Sequence, residues 1–544
     1  MPRVGIASVS QSAADAGARA ADEGGNAVDA AVAAALVSVI THPAMCSLGG
    51  IGFLTIWPPG APPVTVDGAA EMPGRNLPAE RFGRGLREVY LEYGGGVRTR
   101  VGPGSVATPG ALAACDLAVR RWGALPWGTL LEPAYEHAVR GFPLPLASHR
   151  YLTYAHERIY GLDPRSHAAL HTAAGQLRKP GEKVRIPHLP ESLRRLADGG
   201  VEELYGGELG RRVCEHVEAE GGLLTREDLA AYEARVRPAL EVDLDEWRLA
   251  TNPPPAIGGV TLAAMILLMN GAPSEPWTRD AVGRLIGVER AVFEYRRRHL
   301  DRSEQREEEA HRLLEAAAAG LPLTRDLPSG EGRPRGSELL PCGGAHRPPD
   351  DGGEAPPRGP GSTLHTSAVD TDGLACSVTL SDGYGSGVMA PGTGFWLNNC
   401  LGEPELNRRG VHAWTPGARL PSNMAPSVAR GPRGEILAIG SPGADRITTA
   451  ILATLLNFVR LEMSLQEAVA HPRLHVALRE EGEGYEVVHE AGIPVPETSA
   501  PVRCLDEPSM YFGGVEAALK TSGGSLDLAA DARRSGGTAV GGRP

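Results

Sequence analysis

The sequence predicts a mixed α/β fold, and three observations predict it. Short extended runs of bulky or β-branched residues recur along the chain, at Val4–Ser8, Phe53–Trp57 and Leu374–Ser381. The segment from Ala27 to Ile40 is apolar or small on every helical face, which suits a helix buried between layers. Later, Glu435–Ile439, the tight loop Gly440-Ser-Pro-Gly-Ala-Asp445 and the apolar stretch Ile447–Val459 read as strand, turn and helix.

Taken in order, Val4–Ser8 is a strand and Ser12–Glu23 an Ala-rich helix that stops at Gly24-Gly25. Asn26 caps the next helix, with Asp29 three residues on in the place of a capping-box acid, and His42-Pro43 ends it. Residues 80–330 alternate amphipathic helices with Gly/Pro breaks, and the charged run Glu289–Glu315 reads as a solvated helical face. Residues 328–361 are dominated by Pro, Gly and charge; such a segment buries too little apolar area to offset its ordering entropy and is expected to be a flexible loop. Order returns at Thr363, where alternation through Val369, the turn Asp370-Thr-Asp-Gly373 and the extended Leu374–Ser381 predict a β-hairpin. A loop centred on Thr371 and Asp372 sets Thr363 opposite Leu380 or Ser381.

Composition excludes several classes of function. The chain has 544 residues, which is a soft prior for three or four domains or fewer large ones, and 42% of it is hydrophobic, enough for a real core. A net charge of −12 argues against nucleic acid or an anionic membrane surface as the main partner. Only Lys179, Lys183 and Lys520 are lysines, so the positive charge is carried by Arg, a compositional bias and not a functional signal. The seven cysteines are scattered with no CxxC, which indicates neither a disulfide framework nor a zinc site. Met-Pro-Arg-Val-Gly-Ile does not open a signal peptide, and Ala27–Ile40 carries Asp29 and is too short to span a bilayer. The expectation is a soluble, cytoplasmic protein.

A hydroxyl residue that opens a strand directly after such a loop has two readings. Thr363 is an ordinary strand threonine, or the chain is cut between Ser362 and Thr363. In the second case Thr363 holds both an alcohol and a free α-amine, whose pKa near ~7.7–8.0 suits a general base. The Gly440–Asp445 loop, which ends at a helix start, aims backbone N–H groups at an anion; it lacks the Gly-Lys-Ser/Thr ending of a P-loop. No Gly-x-Ser-x-Gly elbow and no His-Glu-x-x-His occurs, so serine-hydrolase and zinc-protease readings have no foothold. His471 and His475 are spaced to share a metal on one helix face, but Pro472 between them favours capping or core roles. Asp445 and Arg446 are expected as helix-dipole and ion-pair groups, and His365 as a structural residue.

One family accounts for these features together. Gly25-Asn-Ala-Val-Asp-Ala-Ala31, His42-Pro43, Leu48-Gly-Gly-Ile-Gly-Phe53, Pro253-Pro-Pro255 with Gly258-Gly259, and Thr363-Leu-His-Thr-Ser-Ala-Val-Asp370 occur in order. Gly385-Ser-Gly387, Pro391-Gly-Thr-Gly394, Leu397-Asn-Asn399, Pro421-Ser-Asn-Met-Ala-Pro426, Gly440-Ser-Pro-Gly443 and Met510-Tyr-Phe-Gly-Gly514 follow. The chain resembles the γ-glutamyltranspeptidase family of N-terminal-nucleophile hydrolases over nearly its whole length. That resemblance implies a four-layer αββα sandwich, autocatalytic cleavage between Ser362 and Thr363, and a large piece (1–362) and a small piece (363–544) that stay associated as one intertwined domain, possible further assembly aside. It implies Thr363 as nucleophile and α-amine base, Ser381 as the hydroxyl supporting it, and the N–H groups of Gly443 and Ala444 as an oxyanion hole. It implies that the substrate is glutathione or a related γ-glutamyl amide, that water or an amino-acid or peptide amine accepts the acyl group, and that no metal or organic cofactor is needed.

The substrate residues depart from the family pattern. Ser422 and Asn423 match a pair that binds the α-carboxylate, and Glu403 stands where an aspartate holds the α-amine. Cys400 replaces a polar Gln or Glu, and Gly383 lies where an Asn is common. The carboxylate-binding Arg falls at about Ala69, so Arg75 or another Arg would have to substitute. Losing a bidentate guanidinium removes roughly 1.5–3 kcal/mol of charge-assisted binding. The alternatives are therefore a same-fold acylase or amidohydrolase with a different acyl donor, of the cephalosporin-acylase or small dicarboxylic monoamide kind, and an unprocessed non-enzymatic relic.

Overall fold

The computed structural model describes residues 2–92, 96–271, 277–323, 362–479 and 484–542. The expected loop at 328–361 lies outside them. Thirteen strands make the two main sheets: β1 (Val4–Ser8), β2 (Ile51–Trp57), β3 (Val64–Gly68), β4 (Arg235–Pro238), β5 (Leu240–Leu244), β6 (Trp247–Thr251), β7 (Leu364–Asp370), β8 (Ala375–Ser381), β9 (Ser427–Arg430), β10 (Ile436–Gly440), β11 (Glu516–Lys520), β12 (Leu526–Ala530) and β13 (Gly537–Gly541). The first sheet runs β13-β1-β7-β8-β2-β3-β4 and the second β12-β11-β10-β9-β6-β5. Neighbours in both are antiparallel.

The sheets pack face to face through a core of Trp57, Ala250, Val369, Ala375, Val428, Ile436, Ala438 and Ala518. Small side chains predominate there, which lets strands of the two sheets approach closely. Helices α1 (Gln11–Asp22), α2 (Ala27–Thr41) and α3 (Ala111–Trp122) cover the outer face of the first sheet. Helices α4 (Gly258–Met269), α5 (Arg279–Arg298) and α6 (Ile447–Arg460) lie on the far side of the second. The result is the four-layer αββα sandwich. As its composition demands, α2 is buried at all 15 positions. Its capping box forms as expected: Asn26 Oδ1 accepts from Val28 N–H and Asp29 N–H, and Asp29 Oδ2 accepts from Asn26 N–H at 2.9 Å.

Two expectations change. The stretch 80–330 is not only helical, since β4, β5 and β6 lie within it and extend both sheets. The run Glu289–Glu315 is not a uniformly solvated face either. Glu289 is 1% exposed and accepts from Val476 N–H at 2.9 Å, and burial pushes its carboxyl up to about 8. Arg296 pairs with buried Asp301 at 2.9 Å. No described helix is long and apolar enough to cross a membrane.

Candidate active site

The Asp370–Gly373 turn sets the hairpin register, pairing Leu364 with Leu380 and His365 with Thr379. One step further out, that register places Thr363 beside Ser381, with Thr363 Oγ1 3.3 Å from Ser381 Oγ. Both hydroxyls converge on one acceptor. Thr363 Oγ1 donates to the Ser362 carbonyl oxygen at 2.7 Å, and Ser381 Oγ donates to the same oxygen at 2.7 Å. Gly383 N–H in turn donates to Ser381 Oγ at 3.1 Å, which leaves the Ser381 hydrogen directed at the carbonyl. Ser362, Thr363 and Ser381 are all buried. The 362–363 peptide bond thus has a carbonyl polarised by one alcohol and a second alcohol beside it, away from bulk water.

These residues open onto a small pocket, lined also by Ser422, Asn423, Glu403, Ala444 and the apolar Ile51, Leu406 and Met424. Six of the expected site residues, Ser362 among them, therefore share one cavity with Thr363. Behind Ala444, Gly443 (φ 135°) and Ala444 (φ 55°) both adopt positive φ at the end of β10, and a short 3₁₀ turn leads into α6. Neither backbone N–H has an acceptor among the described residues. Two free amides at the start of a helix suit developing negative charge. A side chain at Gly443 would put its Cβ 3.0 Å from Gly513 Cα, so the Gly440-Ser-Pro-Gly443 and Met510-Tyr-Phe-Gly-Gly514 motifs meet here.

Glu403 carries the pocket's one charged side chain among the described lining residues. No hydrogen bond from a described residue reaches its carboxylate. Burial, and then the neighbouring Glu405, push it well above the usual carboxylate range. Gly383 (φ 67°) explains how this longer acid fits. A Cβ there would sit 2.8 Å from Glu403 Oε1 and 2.4 Å from Asn399 Oδ1, so the space a side chain at 383 would need is already filled.

Other expected residues stand elsewhere. Cys400 packs into an apolar core cluster and is not among the described residues lining the pocket. Arg75 does not replace the absent arginine, because its guanidinium is held by Glu71 at 2.9 Å and Asp228 at 3.4 Å. Ala69 is fully buried, and its carbonyl accepts from Tyr232 Oη at 2.7 Å and Arg419 Nη1 at 3.2 Å. Arg419 lies 4.8 Å over the Tyr232 ring and pairs with Asp67 and Glu71 at 3.2 Å each. His471 caps a helix and stacks on Trp277, whereas His475 lies on a strand, so no helix face presents both. Asp445 pairs with Arg446, as expected, and its Oδ2 lies 3.5 Å from His475 Nε2. His365 is locked between Thr379 Oγ1 at 2.8 Å and Ser367 Oγ at 2.9 Å; burial lowers its ring to about 3, which fits a structural residue.

Sequence reasoning missed the support around Ser381. Asp382 is 1% exposed, meets the Cys46 thiol at 3.7 Å, and burial pushes its carboxyl up to about 7. Its carbonyl accepts from Asn399 N–H at 2.9 Å, and Asn399 Oδ1 accepts from Tyr384 N–H at 2.6 Å. Asn398 uses its whole carboxamide: Nδ2 donates to Gly49 O and Ala107 O, and Oδ1 accepts from Ala107 N–H and Cys400 N–H. The paired asparagines of Leu397-Asn-Asn399 were the available signal, since two adjacent buried carboxamides need a fixed set of partners.

The chain is similar to several known proteins. The glutathione hydrolase proenzyme of Pseudomonas aeruginosa is 29% identical over 535 residues, covering 94% of this chain and 90% of that protein. The oxamate amidohydrolase proenzyme of Klebsiella pneumoniae is 27% identical over 530 residues, covering 95% and 94%. The crystal structure of cephalosporin acylase from Bacillus halodurans superposes with a TM-score of 0.76 over 99% of this chain and 96% of that one; at 22% identity it speaks to the fold. The sequence model of the gamma-glutamyltranspeptidase family matches residues 13–541, and the chain belongs to that family of N-terminal-nucleophile hydrolases.

Proposed function

We propose that the chain is a proenzyme that cuts itself between Ser362 and Thr363 and then cleaves amides through an acyl-Thr363 intermediate, with γ-glutamyl amides such as glutathione as the reference substrate class. The observation that carries this reading is the convergence of Thr363 Oγ1 and Ser381 Oγ on the Ser362 carbonyl oxygen, each at 2.7 Å. In maturation Thr363 Oγ1 adds to the Ser362 carbonyl carbon, the C–N bond breaks and the nitrogen takes up the proton as the new α-amine. Water then opens the resulting ester, leaving a carboxylate on Ser362.

In turnover the α-amine of Thr363 takes the hydroxyl proton as Oγ1 attacks the substrate carbonyl, and returns it to the leaving amine. Water, or an amino-acid or peptide amine, releases the acyl group. Ser381 supports the attacking oxygen, and the amides of Gly443 and Ala444 stabilise the oxyanion; one such donor is worth about 3–4 kcal/mol. Ser422 and Asn423 would meet the acyl group's far end and Glu403 its amine, while Cys400, outside the lining, takes no part. The two pieces stay joined because β7 and β8 of the second piece insert between β1 and β2 of the first.

A second reading, an amidohydrolase acting on a different acyl group, is favoured by one observation: no Arg or Lys is among the described residues lining the pocket. Thr363→Ala tests the shared core of both. The variant is expected to run as one chain of 57.1 kDa and to leave γ-glutamyl anilide intact. Two fragments from it refute the assignment.

A further inference from the structure

Among the described residues lining the pocket, Glu403 is the one acid or base. Ser422 and Asn423 supply only neutral groups there. The arginines that could stand in for the absent one are committed elsewhere. Arg419 is held by Asp67, Glu71 and the Tyr232 ring, and Arg75 by Glu71 and Asp228. The N-terminus of α4 adjoins Ser422, but the N–H groups of Ile257 and Gly258 both donate to Ser422 O at 3.0 Å and so are spent on the protein. For Glu403, by contrast, no hydrogen bond from a described residue reaches the carboxylate, whose Oε1 lies 2.8 Å from where a Cβ on Gly383 would sit.

We infer that this pocket recognises its acyl donor through an ammonium group and does not require a carboxylate on the same carbon, so that 4-aminobutanoyl amides, which are γ-glutamyl amides without the α-carboxylate, belong to its substrate class. The inference rests on the acyl-Thr363 reading and narrows it. An ammonium beside Glu403 restores the ionised carboxylate and gains a charge-assisted hydrogen bond. A carboxylate brought to the same place gives up water, meets no cation and faces Glu403. The amine is therefore the handle.

The test compares kcat/KM of the mature protein on three matched p-nitroanilides: 4-aminobutanoyl, γ-L-glutamyl and glutaryl, the last lacking only the amine. The 4-aminobutanoyl substrate is expected to match or exceed the γ-glutamyl one, with glutaryl at least tenfold below both. Glu403→Gln is expected to lower kcat/KM at least tenfold for the two amine-bearing substrates, mainly through KM, and to leave glutaryl unchanged or faster; Glu403→Asp recovers part of the loss. A 4-aminobutanoyl rate below the γ-glutamyl rate, or a glutaryl rate within tenfold of either, overturns the inference and leaves the Thr363 reading standing. If none of the three is cleaved and no acyl-enzyme mass appears, the Thr363 reading falls and the inference with it. If Glu403→Gln fails to mature, the three-substrate comparison on the unaltered protein decides alone.

Discussion

Removing the Ser381 hydroxyl separates a catalytic role from a structural one. That oxygen donates to Ser362 O at 2.7 Å, accepts from Gly383 N–H at 3.1 Å and lies 3.3 Å from Thr363 Oγ1. In Ser381→Ala the buried Gly383 amide loses its acceptor, which costs about 1–3 kcal/mol of stability, a tolerable share of the roughly 5–15 kcal/mol typical of a native protein. The kinetic effect is larger. When Thr363 attacks, the Ser362 oxygen becomes an oxyanion, and losing one preorganised donor to it slows the step by about 10²–10³-fold. Purified precursor followed on denaturing gels gives the rate at which the single band splits into pieces 1–362 and 363–544. Ser381→Thr keeps the hydroxyl and is expected to mature within a few-fold of the unaltered rate. A Ser381→Ala precursor that melts lower yet matures at the unaltered rate would show that the hydroxyl only holds Gly383, and the proposed assistance would be wrong.

Gly383→Asn is expected to impair activity by displacing Glu403 and Asn399, whose oxygens lie 2.8 and 2.4 Å from the new Cβ. Adding Glu403→Asp relieves the contact with Glu403 and leaves that with Asn399, so a double-mutant cycle on kcat/KM is expected to show favourable coupling of about 1 kcal/mol or more; strict additivity refutes the steric account. Asp382 provides a pH test of stability. Burial raises its carboxyl from 3.8 to about 7, so the folded protein holds a proton that the unfolded chain loses, and this contribution declines as pH rises from about 4 to about 7. Asp382→Asn is expected to gain in melting temperature relative to the unaltered protein as pH climbs through that window; a gap that stays constant from pH 4 to 8 contradicts it. Hydrolysis should follow deprotonation of the Thr363 α-amine, with kcat/KM rising with pH toward a plateau above ~8, and a flat profile from pH 6 to 9 removes the amine as base.

Much of this site was legible because local chemistry fixed it. The alternating strand and Asp-Thr-Asp-Gly turn limit Thr363 to two partners, and the structure selects Ser381. The Asn26–Asp29 box and the Gly443–Ala444 turn into α6 depend only on neighbours in the chain. Strand β5 was also legible, since Leu240, Val242 and Leu244 alternate with Glu241 and Asp243, but the signal was submerged by the helical character of residues 80–330. The buried charges were not legible. Glu289 meets Val476 N–H 187 residues away, and Arg419 meets Asp67 across 352; no pattern in either segment distinguishes these side chains from solvated ones. Nor could spacing show that Cys400 turns into the core while Glu403, three residues on, faces the cavity.

The charge of the pocket follows from the scaffold around Ala69. For Arg419 to turn toward a substrate carboxylate it would have to leave Asp67 and Glu71, whose side chains are 1% and 2% exposed. Breaking a buried ion pair strands an uncompensated charge and costs about 3–5 kcal/mol. A bidentate contact to a carboxylate returns only roughly 1.5–3 kcal/mol. The exchange is unfavourable, so Arg419 stays structural whatever ligand is present. Placing a new cation at residue 69 meets the same obstacle, because Ala69 is fully buried and its carbonyl already accepts from Tyr232 and Arg419. The absence of an arginine from the pocket lining is thus reinforced by the packing of Asp67, Glu71 and Arg419, and turning Arg419 toward a ligand requires rebuilding that cluster.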